Sequence, residues 1–144
     1  FKLTASEHDN LEALLGMTPE FPVRQRPLAS DSIPPEMREA EKDLEEALKQ
    51  HRSELHRTLG KLLKDPKRCT PGKGGFALSL DRGEVESMLQ ALNSVRVGAW
   101  DRMGSPDFEA GDRPKPGPET GLCIAIFRVT DVLLAGLLGA LEED

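Results

Sequence analysis

Apolar residues recur at helical spacing over most of this chain, and the breaks between the periodic stretches fall at proline, glycine and capping residues. The chain opens with the alternation Phe1-Lys2-Leu3, after which Thr4 and Glu7 match a capping box. That pattern predicts a strand end running into a first helix that reaches Leu15, with Leu11, Leu14 and Leu15 on one face. Gly16 has the backbone freedom for the left-handed position that closes a helix. Residues 17–32 hold Pro19, Pro22 and Pro27 and end at Ser32, so this stretch is expected to be a loop.

Ser32 can cap a second helix whose first turn tolerates Pro34 and Pro35. Met37, Ala40, Leu44, Ala47, Leu48, His51, Leu55, Leu59 and Leu62 then recur every three or four residues up to Lys64, and Pro66 stops the run. Glu36, Glu39, Glu41, Asp43, Glu45 and Glu46 crowd its first half while Arg57, Lys61 and Lys64 close it, the order that complements a helix dipole. At 1.5 Å per residue, such a helix is roughly 45 Å long and is expected to act as the spine of the domain.

Residues 69–75 read as a tight turn, and residues 76–80 alternate as a half-buried strand whose natural partner is residues 1–3. Asp81 and Glu84 form a second capping box before a helix with Val85, Met88, Leu89, Leu92, Ala99, Trp100 and Met103 on one face, ended by Gly104. Residues 104–118 are rich in Pro and Gly and are expected to be a mobile loop. Residues 122–141 are apolar nearly all round, the signature of a helix enclosed by others, and this helix is expected at the centre. The fold expected is therefore a single, mainly α domain over residues 1–144, a four-helix bundle-like arrangement with a small two-stranded β element, Phe1-Leu3 with Phe76-Leu80.

The last apolar run approaches bilayer length, but Arg128, Thr130 and Asp131 sit near its middle. Each central charge costs roughly 2.5–3.5 kcal/mol on insertion, which favours a buried core helix over a membrane span. A formal charge of −6 argues against general nucleic-acid binding, which draws on surplus Lys and Arg. Cys69 and Cys123 form no metal or disulfide pattern, consistent with a reducing cytoplasm. Residues 1–6 lack the parts of a signal peptide, and a chain opening on Phe is expected to have lost an upstream segment.

Candidate chemistry is sparse. Asn93 and Arg96 continue the apolar stripe of the third helix, so both are expected to face inward, with Asp131 as the first-choice partner for Arg96 and Glu12 as the second. That constellation is either a buried ion pair or the lining of an anion-binding cleft. His51 falls on the apolar stripe of the second helix and His56 on its polar flank, five residues apart, a poor spacing for two metal ligands. The segment Thr70-Pro71-Gly72-Lys73-Gly74-Gly75 lacks the glycine spacing of a phosphate loop and is expected to be a turn. Arg57, Lys61, Lys64, Lys67 and Arg68 form a basic cluster able to dock an acidic protein surface. No catalytic, cofactor or metal set emerges.

Pro22-Val23-Arg24-Gln25-Arg26-Pro27 behind a short helix, then a long acidic helix, a strand, and Ala91-Leu92-Asn93-Ser94-Val95-Arg96 form a recognisable order. In these features the chain resembles an uncharacterised bacterial domain-of-unknown-function family, known chiefly from actinobacteria and often encoded beside the Clp protease adaptor. The likeness covers most of the chain, and its most specific part is the segment from Leu92 through Arg96. The chain departs in its last helix, where Ile126 and Phe127 stand in place of the family's usual Tyr and Trp. The resemblance implies an architecture and a neighbourhood, with no catalytic residues to carry over. The function expected is that of a cytoplasmic interaction or regulatory protein linked to regulated proteolysis. The alternatives are a small-molecule or anion binder near Asn93 and Arg96, and a structural homo-oligomer paired through the second helix.

Overall fold

The computed structural model describes residues 1–17 and 34–142. Among them are four helices and a three-stranded antiparallel sheet, in the order β1 (Lys2–Leu3), α1 (Ala5–Gly16), α2 (Pro35–Lys64), β2 (Cys69–Gly72), β3 (Gly75–Leu78), α3 (Arg82–Arg102) and α4 (Thr120–Glu142). The expected loop at 17–32 and the Ser32 cap lie, from residue 18 on, outside the described residues.

Both capping boxes form. The Thr4 hydroxyl accepts from the Glu7 amide at 3.1 Å while the Thr4 amide donates to the Glu7 carboxylate at 2.9 Å. The Asp81 carboxylate accepts from the Glu84 amide at 2.8 Å, which satisfies an amide at the start of α3 that has no intrahelical partner. At the other end of α1, Gly16 stays within the helix and Met17 closes it at φ −87°, donating its amide to the Leu14 carbonyl at 3.2 Å. The left-handed ending expected at Gly16 is not used.

The sheet has three strands, ordered β1-β3-β2, where the sequence suggested two. Cys69–Gly72, expected to be part of a turn, pairs with β3 from Cys69 opposite Leu78 to Gly72 opposite Gly75. Pro71 disguised this strand, yet an edge strand tolerates proline because not all of its amides face a neighbour. Lys73 and Gly74 make the hairpin turn, with Gly74 at φ +89°. Gly75 is fixed by a close approach: a Cβ there would lie 2.0 Å from the Leu3 carbonyl oxygen. The hairpin thus brings β3 against β1 only because position 75 has no side chain.

The centre of the molecule is α3, which packs against α1, α2 and α4, and whose Met88, Leu92 and Ala99 are fully buried. This corrects the expectation for residues 122–141. α4 buries one face, Cys123, Ile126, Thr130, Leu133 and Leu137, and only 28% of its most apolar stretch is enclosed. Composition shows that a helix is greasy on all sides, but not how many neighbours there are to cover it. Here α1 is short, and α2 spends most of its length elsewhere.

α2 is likewise no spine. His56, Leu59 and Leu63 are its buried residues, all in the last three turns, whereas residues 35–51 are exposed apart from the half-buried Glu41. Met37 and Leu44 remain 62% and 57% exposed. The helix leans on the domain by its C-terminal end and projects its acidic half into solvent.

Candidate functional site

Arg96 and Asp131 meet, with Arg96 Nε donating to Asp131 Oδ1 at 2.6 Å between α3 and α4. The side chains are 32% and 50% exposed, so the pair lies at the surface and not in the core. Asn93, expected to face inward beside Arg96, is exposed. Glu12 does not reach Arg96; its carboxylate lies 3.9 Å from Lys64 Nζ on α2. The inward placement failed because the apolar stripe of α3 turns toward Ala91, Val95 and Gly98, which carries positions 93 and 96 to its edge. Arg96 also covers the ring of Phe127 at 4.3 Å, and Phe127 in turn meets Phe108 at 5.6 Å between ring centres. A cation, two aromatic rings and a carboxylate therefore tie α3, α4 and the 104–119 connection together. That connection is also held by the Trp100 indole donating to the Pro106 carbonyl at 2.8 Å and by the Lys115 amide donating to Met103 at 2.8 Å. Arg96 thus spends Nε on Asp131 and its face on Phe127, both contacts of the fold.

The histidines exchange the roles expected of them. His51 is exposed, and His56 is 3% exposed with Nδ1 placed 3.1 Å from the Leu15 carbonyl. A proton on Nδ1 makes that contact a hydrogen bond, and it leaves Nε2 bare and buried without a partner. Burial holds the His56 pKa below its ordinary value, an effect that outweighs the opposing Leu15 hydrogen bond and is assisted by Arg52. The signal was present as a second short stripe, His56, Leu59 and Leu63, rotated from the longer one.

Of the basic cluster, Arg57, Lys61, Lys64 and Lys67 are exposed on the last turns of α2 and just beyond. Arg68 is not part of a free docking face. It pairs with Glu84 and donates through Nε to the Ser79 carbonyl at 3.0 Å, bracing the start of α3 against the β2 side of the sheet. Both cysteines are buried, and burial raises their thiol pKa values, the opposite of what a nucleophile needs. Among the described residues, His8, Asp9 and Glu12 bring three potential ligand atoms within 4.8 Å of one another. His8 stacks on Phe76 at 4.0 Å, and Lys64 competes for Glu12, so these groups serve the packing of α1.

What stands out is apolar surface. Leu122, Val132 and Leu138 on α4 are 50%, 61% and 51% exposed. Ala125, Ala135 and Gly136 are exposed between them, and Arg128 and Asp131 are the exposed charges on that side. A groove of about 660 Å³ runs beside the C-terminal end of this helix, lined by Phe1, Leu80, Val85, Gly136, Ala140 and Leu141 among others. The Phe1 ring lies over Gly136, where a Cβ would stand 3.2 Å from it. The small side chains of Ala125, Ala135 and Gly136 leave room on α4 for the approach of another backbone. Compared with family models, with characterised proteins and with solved structures, the chain matches none.

Proposed function

We propose that this chain is a protein-interaction domain, a helical bundle-like unit that presents the outer side of α4 to a partner. The observation that carries this reading is the mismatch within one helix: a mean hydropathy of 2.0 with 28% of the stretch buried. Monomeric soluble proteins rarely leave large contiguous apolar surface open, and such patches mark docking sites. The resemblance to the family encoded beside the Clp protease adaptor supplies the setting: a cytoplasmic regulatory protein acting near that adaptor or its protease. The anion-pocket alternative has less support, since Asn93 is exposed and Arg96 is engaged by Asp131.

Retention of purified Clp adaptor and protease by the tagged chain is the test. Wild type is expected to retain one of them, and Val132→Glu to release it without loss of folding. No retention of either component removes the link to proteolysis; equal retention by the variant removes α4 as the surface. The same length and hydropathy give a second reading, in which α4 meets lipid. Arg128 and Asp131 near its middle weigh against it, because Asp131 is held by Arg96 of α3 and cannot enter a bilayer alone. Flotation with phosphatidylcholine vesicles, reversed by Val132→Glu, would establish that reading instead.

A further inference from the structure

We infer that two copies of this chain associate through an antiparallel pairing of their α2 helices, independently of α4. Met37, Leu44, Leu48, Leu55 and Leu62 follow one another along α2 at steps of seven, four, seven and seven residues, places of a heptad seam whose intervening positions are Glu41, His51 and Thr58. Met37, Leu44 and Leu48 are 62%, 57% and 37% exposed, while Leu55 and Leu62 are half-buried against the core. The projecting half thus carries a hydrophobic seam with nothing from the described residues upon it.

Charge selects the occupant and its direction. Glu36, Glu39, Glu41, Asp43, Glu45 and Glu46 outweigh Arg38, Lys42 and Lys49 on the projecting half, and Arg52, Arg57, Lys61 and Lys64 outweigh Glu54 on the docked half. Two parallel α2 helices would set acid beside acid, whereas an antiparallel pair sets the acidic half of each along the basic half of the other. The seam agrees with this direction. With the two-fold axis near residues 49 and 50, Leu44 faces Leu55 of the second copy, Met37 faces Leu62, and Leu48 faces His51. Glu45 and Arg52 share one flank of the seam, two turns apart. In this register each Glu45 opposes the Arg52 of the other copy, an e-to-e contact available to antiparallel but not to parallel pairs. Ala40 and Ala47 on the opposite flank leave room for close approach.

Sedimentation equilibrium of the whole chain over a range of concentrations tests this. Wild type is expected to dimerise, and Leu44→Glu with Leu48→Glu to weaken the dimer by at least about a hundredfold. Both positions are exposed in the single copy, so circular dichroism melts of the variant are expected to retain the folded core. Glu45→Lys is expected to weaken the dimer by roughly three- to tenfold, and Arg52→Glu added to it to restore the affinity, a rescue that a merely structural role would not produce. A chain that stays monomeric at high concentration, a dimer unmoved by the leucine substitutions, or one dispersed by Val132→Glu instead would overturn the inference.

Discussion

His56 is the residue whose environment departs furthest from what its position in the sequence suggested, and it makes folding sensitive to acid. Its pKa is lowered in the folded chain from the ordinary 6.5, so between the two values the unfolded chain binds the proton more readily. Stability is therefore full above pH 6.5 and falls as the pH drops below it, until the folded-state pKa is passed. Urea midpoints at a series of pH values should show this decline in wild type and a smaller one in His56→Leu; equal slopes would mean that His56 titrates as it does unfolded. Gly75 is the second test at this scale. Gly75→Ala drives a methyl group into the Leu3 carbonyl and is expected to cost about 2–4 kcal/mol by denaturant unfolding, whereas Gly74→Ala, with open space around it, costs about 1 kcal/mol for its positive φ alone. Arg96→Ala, by contrast, is expected to cost about 1–2 kcal/mol, since a half-exposed pair and an exposed cation over a ring are each weak. Arg96 and Asp131 were legible as a pair from their residue types. Their depth was not, because a helical wheel places a residue within a turn without saying how wide the neighbouring element is.

At the scale of elements, what was readable follows from how local the signal is. The caps at Thr4 and Asp81 are set by contacts three residues apart, and both appear where the sequence places them. Replacing either by alanine is expected to cost about 1 kcal/mol in thermal or chemical unfolding. β2 was hidden because Pro71 and Gly72 are poor strand residues; only the tertiary pairing with β3 makes Cys69–Gly72 a strand. α2 was legible as a helix of the right length, but not as a projecting one. Its apolar stripe runs on from Met37 to Leu62, and the short second stripe of His56, Leu59 and Leu63 that marks the docked face is easily lost beside it.

For the whole molecule, the arrangement places α3 at the centre, with α4 and the projecting half of α2 both carrying apolar surface outward. A domain of this kind is stabilised on one side of its longest helices and leaves the other side open. The central claim is that α4 is clad on one face only, and neighbouring positions in that helix separate the faces: Leu133 is 3% exposed and Val132 61%. The most direct measurement is the thermal midpoint of Val132→Glu beside that of Leu133→Ala. Leu133→Ala is expected to lose about 2–5 kcal/mol, or roughly 5 °C or more, while Val132→Glu stays within about 1 kcal/mol of wild type. A fall for Val132→Glu as large as that for Leu133→Ala would mean that the outer face is enclosed within the fold, and the account of α4 as a recognition surface would be wrong.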